Sequence, residues 1–118
     1  MKLAGTTAII LAFLSATTLA GHTATIQLAN DQSGANANVA VPEDGKKYSI
    51  KSLWGRTAVA KNDVVYATSA QLVAFQQDTE CRIFGDDLHV ELDARKTWAQ
   101  LKGGKVVNLN HAYVVCHD

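Results

Sequence analysis

Strict alternation of apolar and polar residues is the clearest pattern in this chain. Residues 87–93 (DLHVELD) place three aliphatic side chains on one face and His89, Glu91 and Asp93 on the other. Residues 24–29 (ATIQLA) alternate in the same way. A period of two residues is typical of a strand with one buried face and one face in water. The pattern therefore predicts sheets that are buried on one side.

Shorter apolar runs extend this prediction along the chain. Residues 39–41 (VAV) and 112–116 (AYVVC) are predicted strands, and residues 47–54 (KYSIKSLW) are interpreted as an alternating strand. Two further runs, 63–69 and 71–75, fit either one bent strand or a strand followed by a helical turn, because periodicity does not separate these structures in short segments.

Turn-forming residues divide the runs. Residues 30–38, rich in Asn, Asp, Ser and Gly, are predicted to form a loop, and residues 42–45 (PEDG) a turn. One hairpin is predicted over residues 81–93 around Gly-Asp, and a second over residues 97–110 around Gly-Gly. The fold prediction is all-β: a small antiparallel β-sandwich or barrel of about seven or eight strands.

The first 20 residues have the layout of a secretory signal peptide. Lys2 is followed by an apolar run over residues 8–14, and small residues end the segment at Ala20. The apolar run is about half of the roughly 20 residues that a membrane-spanning helix needs. We therefore predict cleavage after Ala20 and one secreted, extracellular domain over residues 21–118 without a membrane anchor.

The chain has two cysteines, Cys81 and Cys116. In an oxidising compartment, two cysteines in a small domain usually pair. We therefore predict one disulfide bond, although a free nucleophilic thiol is the alternative for either residue.

Charge is balanced overall, with 11 Lys and Arg against 11 Asp and Glu, but it is unevenly distributed. Residues 45–62 carry five basic residues and no acidic ones, whereas residues 76–93 carry six acidic residues against Arg82. Either the two segments lie on different faces and make the molecule a dipole, or they pair across a sheet. The overall balance does not favour general binding to polyanions.

The basic segment mixes cations with aromatic residues and gives one candidate binding patch. Such a mixture can contact sugar, anionic lipid or nucleic acid. A solvated basic face with a core tryptophan is the alternative. The candidate patch comprises Lys46, Lys47, Lys51, Trp54 and Arg56.

A second candidate site lies on the polar face of residues 87–93. His89 and Glu91 are two residues apart on that face, and Arg82 belongs to the neighbouring predicted strand. These groups could act as base, acid and phosphate clamp in RNA cleavage, as in small secreted guanyl-specific ribonucleases of fungi. The chain departs from those enzymes because no second histidine is predicted on a matched strand. A solvated strand face is the alternative.

A third candidate site is the predicted mature N-terminus. A free α-amine at Gly21, the next amide nitrogen and the imidazole of His22 can chelate Cu(II), which favours tetragonal nitrogen ligation. His111 and His117 would supplement these ligands if the chain ends meet. A frayed tail with an incidental histidine is the alternative. In that case we expect the protein to have no cofactor.

A secretory start, the opening TIQLANDQSGANANVAVPEDG and a single cysteine pair together resemble small secreted proteins of filamentous fungi, many of them effector candidates. The resemblance implies interaction with a host or the environment, often without catalysis, and a disulfide-held β-sandwich. We expect a monomeric binding protein acting on a host or competitor macromolecule. A small ribonuclease-like enzyme and a copper binder remain the alternatives.

Overall fold

The computed structural model describes residues 21–118, which form eleven strands and one short helix. The predicted signal peptide, residues 1–20, lies outside the described residues. Eight strands have three or more residues, which matches the predicted number. In chain order the elements are β1 (Thr23–Asn30), β2 (Ala35–Pro42), β3 (Tyr48–Ser49), α1 (Ile50–Trp54), β4 (Ala60–Lys61), β5 (Val64–Ala67), β6 (Ser69–Ala74), β7 (Glu80–Gly85), β8 (Leu88–Asp93), β9 (Trp98–Gln100), β10 (Val107–Asn108) and β11 (Tyr113–His117).

The strands form three antiparallel sheets. Two have four strands, in the orders β2-β1-β6-β9 and β3-β11-β7-β8, and the third has the order β10-β5-β4. We call the first the uncharged sheet, because none of its residues is Asp, Glu, Lys, Arg or His. We call β3-β11-β7-β8 the charged sheet. The predicted class, an all-β antiparallel sandwich or barrel with one disulfide, is confirmed.

One hydrophobic core joins the sheets, because alternation along each strand turns its apolar residues inward. Within residues 21–118, no helix has the length and apolar character needed to cross a membrane. The largest fully buried apolar side chains are Trp54, Ile26, Leu28, Ile50, Leu72, Ile83, Leu92 and Leu109.

The predicted loop over residues 30–38 is wrong in its second half, because β2 begins at Ala35. The connection is a tight turn in which the Asn30 side chain accepts hydrogen bonds from the backbone of Gln32 and Ser33. Gly34 completes it with φ +79°, a conformation that favours glycine. The alternation of Ala with Asn is itself a period of two, since the alanines are the more buried side chains.

Residues 47–54 are not a continuous strand, and this prediction is also wrong. Ser49, the last residue of β3, caps the short helix α1 by accepting a hydrogen bond from the Ser52 backbone N–H. Ile50 and Trp54 are the buried residues of the helix and are four positions apart, which places them on one helical face. Burial of this pair favours a helical turn over an extended strand.

The runs 63–69 and 71–75 are neither one bent strand nor a strand and a helical turn. They form β5 and β6, which belong to different sheets. Thr68 lies between them, and both its backbone N–H and its hydroxyl donate to the Ala29 carbonyl. Thr68 thereby holds the point at which the chain passes from one sheet to the other.

The hairpin predicted over residues 81–93 is confirmed as β7 and β8, with Gly85 opposite Leu88. The hairpin predicted over residues 97–110 is wrong, because β9 pairs with β6 and β10 pairs with β5. Gly103 and Gly104 do have the predicted positive φ, at +61° and +87°, but they connect strands of different sheets.

The predicted disulfide between Cys81 and Cys116 is present, and neither thiol is free. The two cysteines face each other directly across β7 and β11, with 4.1 Å between their Cα atoms. The bond therefore fixes the register of the two central strands of the charged sheet.

Candidate functional site

The outer face of the charged sheet presents an ordered array of polar and aromatic side chains. Successive residues of a strand point to opposite faces, so every second residue of β7, β8 and β11 turns away from the core. The strand register aligns these outward residues in three rows: Tyr113, Phe84 and His89; Val115, Arg82 and Glu91; and His117, Glu80 and Asp93.

Two cations lie against two aromatic rings at one end of this face. The ring centroids of Phe84 and Tyr113 are 6.0 Å apart. The Lys47 ammonium is 4.4 Å from the Tyr113 centroid, and the Arg82 guanidinium is 5.9 Å from the Phe84 centroid. Both distances lie within the range of a cation–π interaction, worth about 0.5–1 kcal/mol at an exposed site. We call these four residues the cation–aromatic cluster.

The residues of the second candidate site are brought together in the neighbouring rows. His89 Nε2 lies 3.0 Å from Glu91 Oε2, with 61% and 67% of the two side chains exposed. Arg82 lies directly opposite Glu91 in the register. The hydrogen bond from His89, with smaller contributions from the charges of His89 and Arg82, lowers the pKa of Glu91 below its ordinary value. This site is therefore an assembled but open group on the strand face.

The far end of the same face is acidic. Glu80 lies opposite Asp93, and His117 Nε2 is 3.7 Å from Glu80 Oε1. His117 is a second histidine on the face, which the sequence analysis did not place there. It lies in the third row whereas His89 lies in the first, so the two histidines are at opposite corners of the array.

Four members of the predicted basic patch are exposed: Lys46, Lys47, Lys51 and Arg56. Lys51 and Arg56 border one shallow depression together with Asp63, whereas Lys47 joins the cation–aromatic cluster. The inclusion of the fifth member, Trp54, in the candidate patch was wrong.

Trp54 is fully buried, with 0% of its surface exposed. Its indole N–H donates a hydrogen bond of 3.1 Å to the Ala37 carbonyl of β2. An indole ring that fills the core and has a partner for its only donor is a structural residue. Trp54 therefore cannot contact a ligand at the surface of the patch.

The start of the basic segment and the acidic segment lie toward opposite edges of the charged sheet. Residues 46–47 lead into β3 at one edge, while the acidic segment supplies β7 and β8 at the other. No ion pair joins the two segments in the described part of the chain; the pairs present there are His89 with Glu91, Lys102 with Asp87, and His117 with Glu80. The two segments therefore do not pair across the sheet here, and Lys47 lies over the same outer face that carries Glu91 and Glu80.

The residues predicted to bind copper are exposed at the start of the described chain. His22 Nδ1 lies 3.1 Å from Gln76 Nε2, and the His22 carbonyl accepts from the Glu43 backbone N–H. His117 Nε2 lies 3.7 Å from Glu80 Oε1. Within residues 21–118 no group of three or more His, Cys, Asp or Glu side chains could hold a metal ion. The copper site through Gly21 stays a prediction.

Sequence reasoning missed Phe84 and Tyr113 as surface residues. A signal for them was present, because an inward Cys81 and an inward Cys116 fix the parity of their strands. Phe84 and Tyr113 are each three residues from the nearer cysteine, and this odd offset places them on the outer face. Their proximity, however, depends on the register of β7 with β11, which only the structure gives.

A scan of protein families, a search of curated proteins and a search of solved structures each found no match to this chain.

Proposed function

We propose that this chain is a secreted, non-catalytic binding protein that contacts an acidic group on a host or competitor macromolecule. The contact surface is the cation–aromatic cluster together with Lys46, the neighbour of Lys47 in the chain. The observation that carries the proposal is the pairing of Lys47 with Tyr113 and Arg82 with Phe84 on an open sheet face.

The geometry of the cluster suits binding to a flat partner. A cation held over a ring is already ordered before binding, so less side-chain entropy is lost when it meets an anion. The adjacent rings add apolar contact area of the type enriched in interfaces. Lys46 is exposed just before β3 and extends the positive edge of the surface. An acidic partner would meet this edge and avoid the carboxylates of β8.

Secretion is supported by the apolar run at the start of the chain and by the disulfide. Disulfides persist in oxidising compartments and are rare in the cytosol. The test is the intact mass of the protein recovered outside secreting cells. A mass that begins at Gly21 and lacks two hydrogens agrees with the proposal, and a mass that begins at Met1 contradicts it.

Retention on immobilised heparin tests the binding surface with a defined acidic probe. We expect the wild-type chain to bind at about 0.05 M salt and to elute as salt rises toward about 0.5 M, because screening weakens exposed charge pairs. Lys46→Glu and Lys47→Glu should elute earlier. Lys105→Glu changes an exposed lysine outside the charged sheet and is the matched control. Equal shifts for all three variants, or no retention of the wild type, contradict an acidic partner.

A ribonuclease-like activity is the second candidate, and the hydrogen bond between His89 and Glu91 favours it. Cleavage would use Glu91 or His89 as base and Arg82 to contact the phosphate. The assay is hydrolysis of single-stranded RNA by the purified chain, with His89→Ala as the test variant. Activity that disappears in this variant supports an enzyme, and RNA left intact by the wild type removes the candidate.

A further inference from the structure

The outer face of the uncharged sheet is a second surface, separate from the one proposed above. Asp, Glu, Lys and Arg make up 19% of the chain, yet β1, β2, β6 and β9 contain none. By contrast, β7 and β8 place several charged residues on the charged sheet. A partner of the uncharged sheet therefore meets no fixed charge on these strands.

Polar amides cross this face in a continuous row. Gln27 on β1 lies opposite Asn38 on β2 and Gln71 on β6, and Gln71 lies opposite Trp98 on β9. Three strand spacings of about 4.8 Å separate the ends of this row by roughly 14 Å. We call Asn38, Gln27, Gln71 and Trp98 the amide–tryptophan row.

Trp98 is the most exposed large apolar side chain of the described residues, at 48%. It lies on the edge strand β9, beside the buried Ala99. Val73, which is 41% exposed, lies nearby on β6 at an irregularity where β1 pairs with Leu72 and then with Ala74. The bulge turns this extra aliphatic residue outward. One end of the row is thus apolar and the rest is polar.

The amides of the row are free to bind a ligand. Within residues 21–118, the side chains of Gln27, Asn38 and Gln71 form no hydrogen bonds. The side chain of the turn residue Asn30, by contrast, accepts two. Each primary amide carries one carbonyl acceptor and two N–H donors. Together the three amides offer both donors and acceptors without charge.

We propose that the amide–tryptophan row binds a neutral, hydroxyl-rich polysaccharide. A hydroxyl group is both donor and acceptor, so it matches a primary amide better than an anion does. The flat indole of Trp98 provides apolar area for the C–H face of a sugar ring, and its N–H remains a polar contact. The length of the row fits an extended chain of several sugar units.

The chemistry of the row disfavours other partners. Nucleic acids and acidic polymers are held mainly by Lys and Arg, which these four strands lack. Anionic lipid surfaces need similar cations. A second copy of this chain could also cover an uncharged face, and the experiment below separates that case.

Sedimentation with insoluble cellulose, chitin and β-1,3-glucan tests the proposal with the full secreted chain. We expect binding to at least one of the three, unchanged between about 0.05 M and about 0.5 M salt because no charge is involved. Trp98→Ala should raise Kd about tenfold through loss of the stacking ring. Gln71→Ala should weaken binding less and serves as the second test variant. Val106→Ala removes an exposed apolar side chain outside the row and should leave Kd unchanged.

Several results would overturn this assignment. Failure of the wild type to bind any of the three polymers does so, as does equal binding by the wild type, Trp98→Ala and Gln71→Ala. Loss of binding at the higher salt concentration assigns the contact to the charged sheet instead. A dimer in sedimentation equilibrium that is lost in Trp98→Ala identifies a second copy as the occupant. Retention on heparin is measured separately, so failure of one proposal leaves the other standing.

Discussion

Removal of the disulfide should destabilise the fold by a large part of its total stability. Cys81 and Cys116 are both buried, and 35 positions separate them in sequence. In the chain-entropy treatment, opening a loop of this length costs about 4 kcal/mol of stability, within the usual range of about 2–5 kcal/mol for native disulfides. We therefore expect Cys81→Ala with Cys116→Ala to lower the free energy of unfolding by about 4 kcal/mol.

Urea unfolding followed by tryptophan fluorescence measures this loss. Trp54 is buried and Trp98 is about half exposed, so Trp54 should report most of the change in environment. With an m-value of about 1–2 kcal/mol/M, the midpoint should fall by about 2–4 M. The free energy of unfolding of a domain of this size is about 5–15 kcal/mol, so the folded state of the double variant should be only marginally stable. Its m-value should rise, because the unfolded chain is no longer held compact.

The control is the wild-type chain under reducing conditions, which should unfold near the midpoint of the double variant. A loss below about 1 kcal/mol would refute the reasoning. It would mean that the pairing of β7 with β11 persists in the unfolded state or that the closed loop contributes little entropy.

Three further changes test local contacts. Trp54→Phe removes the donor to the Ala37 carbonyl and part of the buried ring, and should cost about 1–3 kcal/mol in chemical unfolding. Ser49→Ala removes the helix cap and should cost about 1 kcal/mol in the same assay. The Tyr48 hydroxyl is the main cause that lowers the pKa of Asp44, so Tyr48→Phe should raise this pKa in an NMR titration. The lowered pKa of Asp44 stabilises the fold at pH values above the ordinary pKa of Asp, and this stabilisation is lost as pH falls through the folded-state pKa. Tyr48→Phe has less of this stabilisation to lose, so its stability should fall less steeply in acid.

Alternation carried most of the information that could be predicted from the sequence. It identified β1 and β8, where every buried residue is aliphatic, and the apolar run at the end of the chain identified β11. It failed over β2, because Ala35 and Ala37 are too small to stand out from a polar loop. It failed over α1, because Ile50 and Trp54 fit a helical spacing as well as a strand once Ser49 caps the turn.

The candidate surfaces were less predictable because they depend on contacts between distant strands. His89 and Glu91 could be paired from one strand, and the structure confirms their proximity. The cation–aromatic cluster combines a loop, β7 and β11, and the amide–tryptophan row combines four strands. Register across these strands is set by the packing of the whole core, which the local pattern does not encode.

The absence of charge on β2 has a consequence for the behaviour of the protein in solution. This eight-residue strand lies at the edge of its sheet, where unpaired backbone groups can template pairing with another chain. Proteins usually protect such edges with lysine, proline or a covering element. Pro42 ends this strand, and the Trp54 indole N–H donates to the Ala37 carbonyl within it. Loss of that indole would therefore open a hydrogen-bonding edge and promote strand-to-strand aggregation.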